Sequence, residues 1–312
     1  MIEPVALLKD LVRINTTNPP GEEEKLLLYL ERILQEHRIP YVYQKSAKGR
    51  GNLLAWQLAD QAEEAPLILM SHTDVVAAQA SQWKFPPFEA QEVDGYIYGR
   101  GTVDTKQLTA MELTAFLALK EKEIPLKRDV YFLATSDEES GSAYGLQWFL
   151  DHEITVGETT KTGRELFRGS DVISEGGGFP VVGGKREFYL CESGQKSCGT
   201  VEFTVKAKNA KGAFFTSEDG MERAMGLAED IGKQKLDGRV LDTVKQFEQK
   251  LAGVQLSPMM QKILTAMKQN SMTVTMITGK NVNEVTLVCD VRLLPGFGQK
   301  YLEEVLKNLA EK

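Results

Sequence analysis

The chain has 312 residues, of which 42% are hydrophobic and 26% charged, and its net charge is −7. This is the composition of a globular chain long enough for two domains of ordinary size. The absence of a basic surplus argues against a nucleic-acid partner, and no apolar run approaches the ~20 residues of a membrane span.

The opening residues 1–12 read as an amphipathic helix and not as a signal peptide, and 16–21, TTNPPG, is a turn. Residues 22–36 return to helical spacing, with Leu26, Leu27, Leu30, Ile33 and Leu34 on one face. Residues 42–44 and 52–57 read as strands around a Gly-containing turn at 48–51. Residues 67–70 are apolar without alternation, the pattern of a strand covered on both faces, as in a mostly parallel sheet. Two prolines and Asp94-Gly95 make 83–100 a long loop with a hairpin. A helix over 104–120 carries Leu108, Met111, Ala115 and Leu119 at core spacing. A second buried strand, 129–135, runs into Ser136, Asp137, Glu138 and Glu139. The spacing then predicts a helix over 144–152, a polar stretch over 151–170 that is loop for part of its length, and a short strand at 172–174 that ends at Glu175.

The character changes after about Gly194. Residues 200–208 alternate as a half-exposed antiparallel strand does. Helices follow at 217–233 and, in two or three pieces, at 236–268. Strands at 272–277 and 285–294 and a helix at 299–309 complete most of a split βαββαβ unit.

The three cysteines, Cys191, Cys198 and Cys289, are odd in number and mostly far apart. They argue against a disulfide framework and for a reducing, cytoplasmic compartment. Of the three histidines, His37 and His152 close helical segments, where a cation is favourable. His72 is left as the histidine with a chemical role.

His72 and Asp74 stand at the carboxyl end of a strand, where open α/β sheets place their ligands. A ligating imidazole usually gives its other N–H to a carboxylate or carbonyl. Taken alone, His-x-Asp is short, and a solvated loop carries it equally well. The rest of the chain adds to it. Three buried strands each end in a candidate ligand, namely His72, the pair Glu138-Glu139, and Glu175, and Asp104 opens a helix after the Gly99–Gly101 turn. Imidazole and oxygen donors together suit zinc, cobalt or manganese, and bridging carboxylates suit two metals about 3.5–4 Å apart. In an extended segment Glu138 and Glu139 would point opposite ways. One could then bind metal while the other takes a proton from the attacking water and returns it to the leaving amine. The same acids could also simply open a helix.

These residues resemble the dizinc amidohydrolases and exopeptidases that include aminoacylase, acetylornithine deacetylase, succinyl-diaminopimelate desuccinylase, carnosinase-like dipeptidases and glutamate carboxypeptidases, with the nearest likeness to the Gly-X carboxypeptidase branch. The motifs are SHTDVV at 71–76, WKFPPFEAQEVDGYIYGRGTVDTK at 83–106, SDEESGS at 136–142, ISEGGG at 173–178 and, more weakly, DVRLLPG at 290–296. The resemblance implies an α/β fold in which a mostly parallel-sheet catalytic domain (1–198) carries an inserted α+β, βαββαβ-like lid or dimerisation domain (199–312). It implies hydrolysis of an amide or peptide bond next to a free carboxylate, with two Zn2+, or Co2+ or Mn2+, as cofactors. Small peptides or N-acyl amino acids would be the substrates, and a homodimer would form through the lid. Asp104 would bridge the metals, His72 and Glu175 would complete one site and Glu139 the other. Glu138 would be the general base, Asp74 would orient His72, and Arg292 would hold the substrate carboxylate. Asn281 is a weaker match to a lid asparagine. The chain also departs from the pattern. Gln107 stands where a glycine commonly follows the lysine, Phe214 and Phe215 occupy the region of a lid histidine, and no histidine follows His152. The expectation, in preference to a natural short form with altered chemistry, is a piece of a longer chain that holds at most one metal tightly and is poorly soluble alone. A non-catalytic relative that binds metal or peptide is the alternative.

Overall fold

The computed structural model describes residues 2–183, 186–207, 220–281 and 283–310. The chain folds as two compact units, Met1–Glu175 and Gly176–Lys312.

The first unit begins with two helices, α1 (Pro4–Arg13) and α2 (Glu24–Glu36). Glu3 caps α1 by accepting the Val5 and Ala6 N–H groups, and Pro4 takes the position where a missing donor costs nothing. The α2 stripe is buried as its spacing predicts, with Leu26, Leu27, Leu30, Ile33 and Leu34 all inside. The hairpin β1 (Tyr41–Ala47) and β2 (Arg50–Gln57) follows, then β3 (Leu67–His72), the small hairpin β4 (Gln91–Val93) and β5 (Tyr96–Tyr98), α3 (Lys106–Glu121) and β6 (Val130–Thr135). Asp94 and Gly95 both have positive φ in the β4–β5 turn, which is the demand that selects Asp-Gly there. The unit closes with α4 (Leu146–Asp151), a hairpin of β7 (Glu153–Val156) and β8 (Thr159–Thr162), α5 (Gly163–Leu166) and β9 (Asp171–Ile173).

The main sheet has the order β1-β2-β6-β3-β9. β6, β3 and β9 pair in parallel, and the β1–β2 and β2–β6 pairs are antiparallel. Four strands therefore run one way and β2 alone is reversed. Alternate residues feed two cores. Leu53, Ala55, Leu69, Phe132 and Ala134 pack with α1, α2 and α3 on one face. Leu54, Ile68, Tyr131 and Leu133 meet Phe149, Ile154 and Val156 on the other. This two-sided burial is why β3 and β6 read as unbroken apolar runs. β9 corrects the expectation of a third buried strand. It is a three-residue edge strand, and Val172 and Ile173 are about half exposed. The polar stretch 151–170, expected to be loop over part of its length, holds the β7–β8 hairpin, turning at Gly157 with φ +57°, and α5. His37 and His152 are helix C-caps as expected, His37 against Glu121 and His152 stacked on Trp148.

In the second unit a hairpin of β10 (Gly177–Gly183) and β11 (Arg186–Cys191) leads to β12 (Ser197–Lys206). Helices α6 (Gly220–Lys233), α7 (Asp242–Lys250) and α8 (Pro258–Ala266) precede β13 (Ser271–Asn281), β14 (Glu284–Leu293) and α9 (Gln299–Ala310). The antiparallel sheet β12-β14-β13 buries Val285, Leu287 and Cys289 of β14 against Ala224 and Ile231 of α6 and Val305 and Leu309 of α9. Phe214 and Phe215 lie outside the described residues. The three thiols are free. Among the described residues no helix is long and apolar enough to cross a membrane. Ser257 caps α8 through the Met260 N–H at 3.2 Å. Ser257→Ala should cost about 1 kcal/mol of stability in this unit, read as a lower urea midpoint by hydrogen exchange of α8 amides.

Candidate metal centre

β3, β6 and β9 all deliver their carboxyl ends to one place. His72 is the last residue of β3 and is aligned with Thr135 at the end of β6. Glu175 follows β9 by two residues, and Asp104 precedes α3 by two. One ligand atom from each of His72, Asp104 and Glu175 lies within 4.8 Å of the others. His72 Nε2 is 3.1 Å from Asp104 Oδ1, 3.3 Å from Glu175 Oε2 and 3.9 Å from Glu138 Oε2. The imidazole is buried, whereas the carboxylates of Asp104, Glu138 and Glu175 reach solvent.

Asp74, fully buried, arranges this centre. His72 Nδ1 lies 3.0 Å from the Asp74 carbonyl oxygen and 3.3 Å from its Oδ1. Both neighbours are acceptors, so Nδ1 carries a hydrogen and Nε2 is the atom presented to the acids. Asp74 Oδ1 also accepts from the Glu138 N–H and Oδ2 from the Glu139 N–H, each at 3.1 Å. The acidic turn is thus tied to the same carboxylate as the ring. Glu138–Ser140 is a 3-10 turn entered through Asp137 at φ +66°. It is not extended, so the two glutamates are not held on opposite faces by strand geometry. Glu139 lies outside the three-residue cluster, and burial, then the charge of Asp104, raises its carboxyl.

The electrostatics follow from this crowding. Burial works against a charge on His72. Hydrogen bonds to Asp74 and Glu175 overcome it and raise the ring pKa to about 11. Burial likewise opposes the Asp74 anion, but bonds from His72 and Asn18 hold its carboxyl below the usual range. The bond to His72 lowers Glu175. Burial raises both Glu138 and Glu139, and the surrounding acids add to it. The metal-free centre is therefore an imidazolium among carboxylates, with a proton standing where a cation's charge would stand. One imidazole nitrogen and two carboxylate oxygens form the three-ligand, open donor set that suits a catalytic zinc.

Several residues that the sequence does not advertise complete the site. Asn18, in the TTNPPG turn, donates to Asp74 Oδ2 at 2.9 Å and to Asp137 Oδ1 at 3.1 Å. Arg50 pairs with Asp137. Lys106 is wholly buried and donates to the carbonyl oxygens of Leu11 and Ile14, which ties α1 to the start of α3. Burial lowers its amine to a pKa of about 7. Glu112 is 4% exposed, and burial raises its carboxyl more than the neighbouring Ser71 side chain and Met70 backbone lower it. Arg292, by contrast, is singled out by the sequence; it belongs to β14 of the second unit, where its Nε donates to Asp290 at 2.9 Å.

Comparison with known proteins agrees with this arrangement. The chain is 34% identical over 149 residues to a probable succinyl-diaminopimelate desuccinylase of Staphylococcus epidermidis, a stretch of 47% of this chain and 35% of that protein. The chain thus spans about a third of that relative's length. The fold matches an M20 family metallo-carboxypeptidase from Sulfolobus solfataricus with a TM-score of 0.67 at 22% identity, over 100% of this chain and 76% of that one. It also matches a dinuclear metal binding peptidase of the same family from Bacillus subtilis with a TM-score of 0.56 at 15% identity, over 98% and 67%. The pattern of Peptidase family M20/M25/M40 covers residues 68–282, well over half of the sequence and inclusive of every candidate ligand above. The chain belongs to Peptidase family M20/M25/M40.

Proposed function

We propose that this chain carries the metal centre of a zinc-dependent hydrolase that cleaves an amide or peptide bond beside a free carboxylate, as a dipeptidase, a carboxypeptidase or an N-acyl-amino-acid deacylase does. The observation that carries the reading is the convergence of His72, Asp104 and Glu175 at the ends of β3 and β9 and the start of α3. In this reading Asp104 would be shared between two metal ions, His72 and Glu175 would hold one, and Glu139 would hold the other. A zinc ion there would supply a Lewis acid toward the scissile carbonyl. Glu138, whose carboxyl is raised by burial, takes a proton from the attacking water at its carboxylate and gives it to the leaving amine. Asp74 keeps the hydrogen on His72 Nδ1 and so directs Nε2 inward. Arg292 serves as a fork for the substrate carboxylate, a role that rests on the DVRLLPG likeness. The second unit acts as the lid and as the face of a homodimer. Three free thiols fit a reducing, cytoplasmic setting.

Calorimetric titration with Zn2+ tests the reading. The His72 imidazolium must lose its proton when metal binds, so proton release should accompany binding and affinity should rise with pH. His72→Ala and Glu175→Ala should each bind at least about 10-fold more weakly. Unchanged zinc content in both variants would remove the assignment.

A further inference from the structure

We propose that Arg50 is a positioning residue for the metal centre, acting through Asn18 on Asp74 and so on both His72 and the turn that carries Glu138. The inference rests on the metal-binding reading above.

Arg50 opens β2 and is 7% exposed. Its guanidinium makes three kinds of contact. One Nη pairs with Asp137, and the other donates to Asn18 Oδ1 at 2.6 Å and to the Pro20 carbonyl oxygen at 2.7 Å. The contact with Asn18 has a directional consequence. An amide whose oxygen is taken by Arg50 must turn its NH2 the other way. That NH2 is what Asp74 and Asp137 accept. Without Arg50 the amide is free to flip, and its oxygen would then face the Asp74 carboxylate. Asp74 would lose a donor at the atom that also receives the Glu139 N–H.

The charge balance points the same way. Asp74, Asp137 and Glu23 are all buried, and Arg50 is a cation placed among them, 3.8 Å from Glu23. Removing it leaves carboxylates facing one another in a low-dielectric interior, which is costly. The backbone also makes room for it. Gly21 has φ +81°, and a Cβ there would lie 2.4 Å from the guanidinium. Lysine cannot replace this arrangement, because a single ammonium does not reproduce a planar fork reaching three acceptors.

The test is Co2+ titration of the full chain, followed by calorimetry and by the visible absorption of the bound ion, in the wild type, Arg50→Lys and Asn18→Leu. Tryptophan fluorescence checks the fold of each variant. Both variants should bind Co2+ about 10- to 100-fold more weakly, as changes behind a ligand do, with a shifted absorption band. Asn18→Leu breaks the link to Asp74 while the Arg50–Asp137 pair stays, so it decides the matter if Arg50→Lys does not fold. A merely structural role would lower the melting temperature and leave the affinity and the band of the folded protein unchanged, and that result in either variant overturns the proposal. A wild type that binds no Co2+ overturns the metal-binding reading itself, and the inference falls with it.

Discussion

Glu138→Gln should keep the metal and lower kcat by about 10²- to 10⁴-fold, the usual worth of a positioned general base. Glu138 is not one of the three clustered ligands, and its Oε2 stands 3.9 Å from His72 Nε2. The substitution preserves size and hydrogen-bonding capacity but removes the atom that accepts a proton. Glu139→Gln should behave differently, losing one metal ion, because its assigned task is ligation. The measurements are zinc content and turnover on a panel of dipeptides and N-acyl amino acids in catalytically active protein. Ordinary turnover by Glu138→Gln would place the base on another residue.

The second large effect is on stability. Glu112 is buried, and burial pushes its pKa from 4.5 up to about 8 against the smaller lowering by the Ser71 side chain and the Met70 backbone. The folded protein therefore keeps a proton that the unfolded chain gives up in this range. The associated stability is complete below pH 4.5 and is lost as the pH rises through 8. The loss is on the order of 5 kcal/mol, from the size of the shift. Glu112→Gln carries no such proton and should lose less stability than the wild type on going from about pH 5 to about pH 8.5, a range that spans both values. Tryptophan fluorescence during urea unfolding reads this cleanly, because Trp56, Trp83 and Trp148 all lie in the first unit. Parallel pH dependence in the two proteins would mean that Glu112 is satisfied by a partner such as bound water.

The sequence shows the fold best where burial imposes a period. The α2 stripe and the runs of β3 and β6 are legible because each faces a packed layer. β9 is legible as a short strand but not as an exposed edge, since three residues carry no periodic signature of which face is buried. The β10–β11 hairpin hides behind its glycines and Pro180, which read locally as loop. The Thr-rich strand β8 reads as polar loop because one exposed face leaves no alternation to find. At the site, the clustering of His72, Asp104 and Glu175 could be read from the ends of strands and the start of a helix. Asn18, Arg50 and Glu112 could not. Their roles depend on which groups they meet in space, and a turn asparagine, a turn arginine and a helical glutamate are ordinary in those local settings.

Asp74 receives the ring of His72 and two backbone amides on one carboxylate. Opening of the acidic turn and loosening of the imidazole therefore draw on the same acceptor. Any coupling between occupancy at His72 Nε2 and closure of the turn runs through this one carboxylate, and such a coupling is reciprocal. The exchange of the Glu138 and Glu139 amides with solvent deuterium becomes a substrate-free gauge of the centre, slowing as Nε2 is engaged. By the same equality, a molecule that holds the turn closed strengthens whatever His72 binds by the factor in which its own affinity gains.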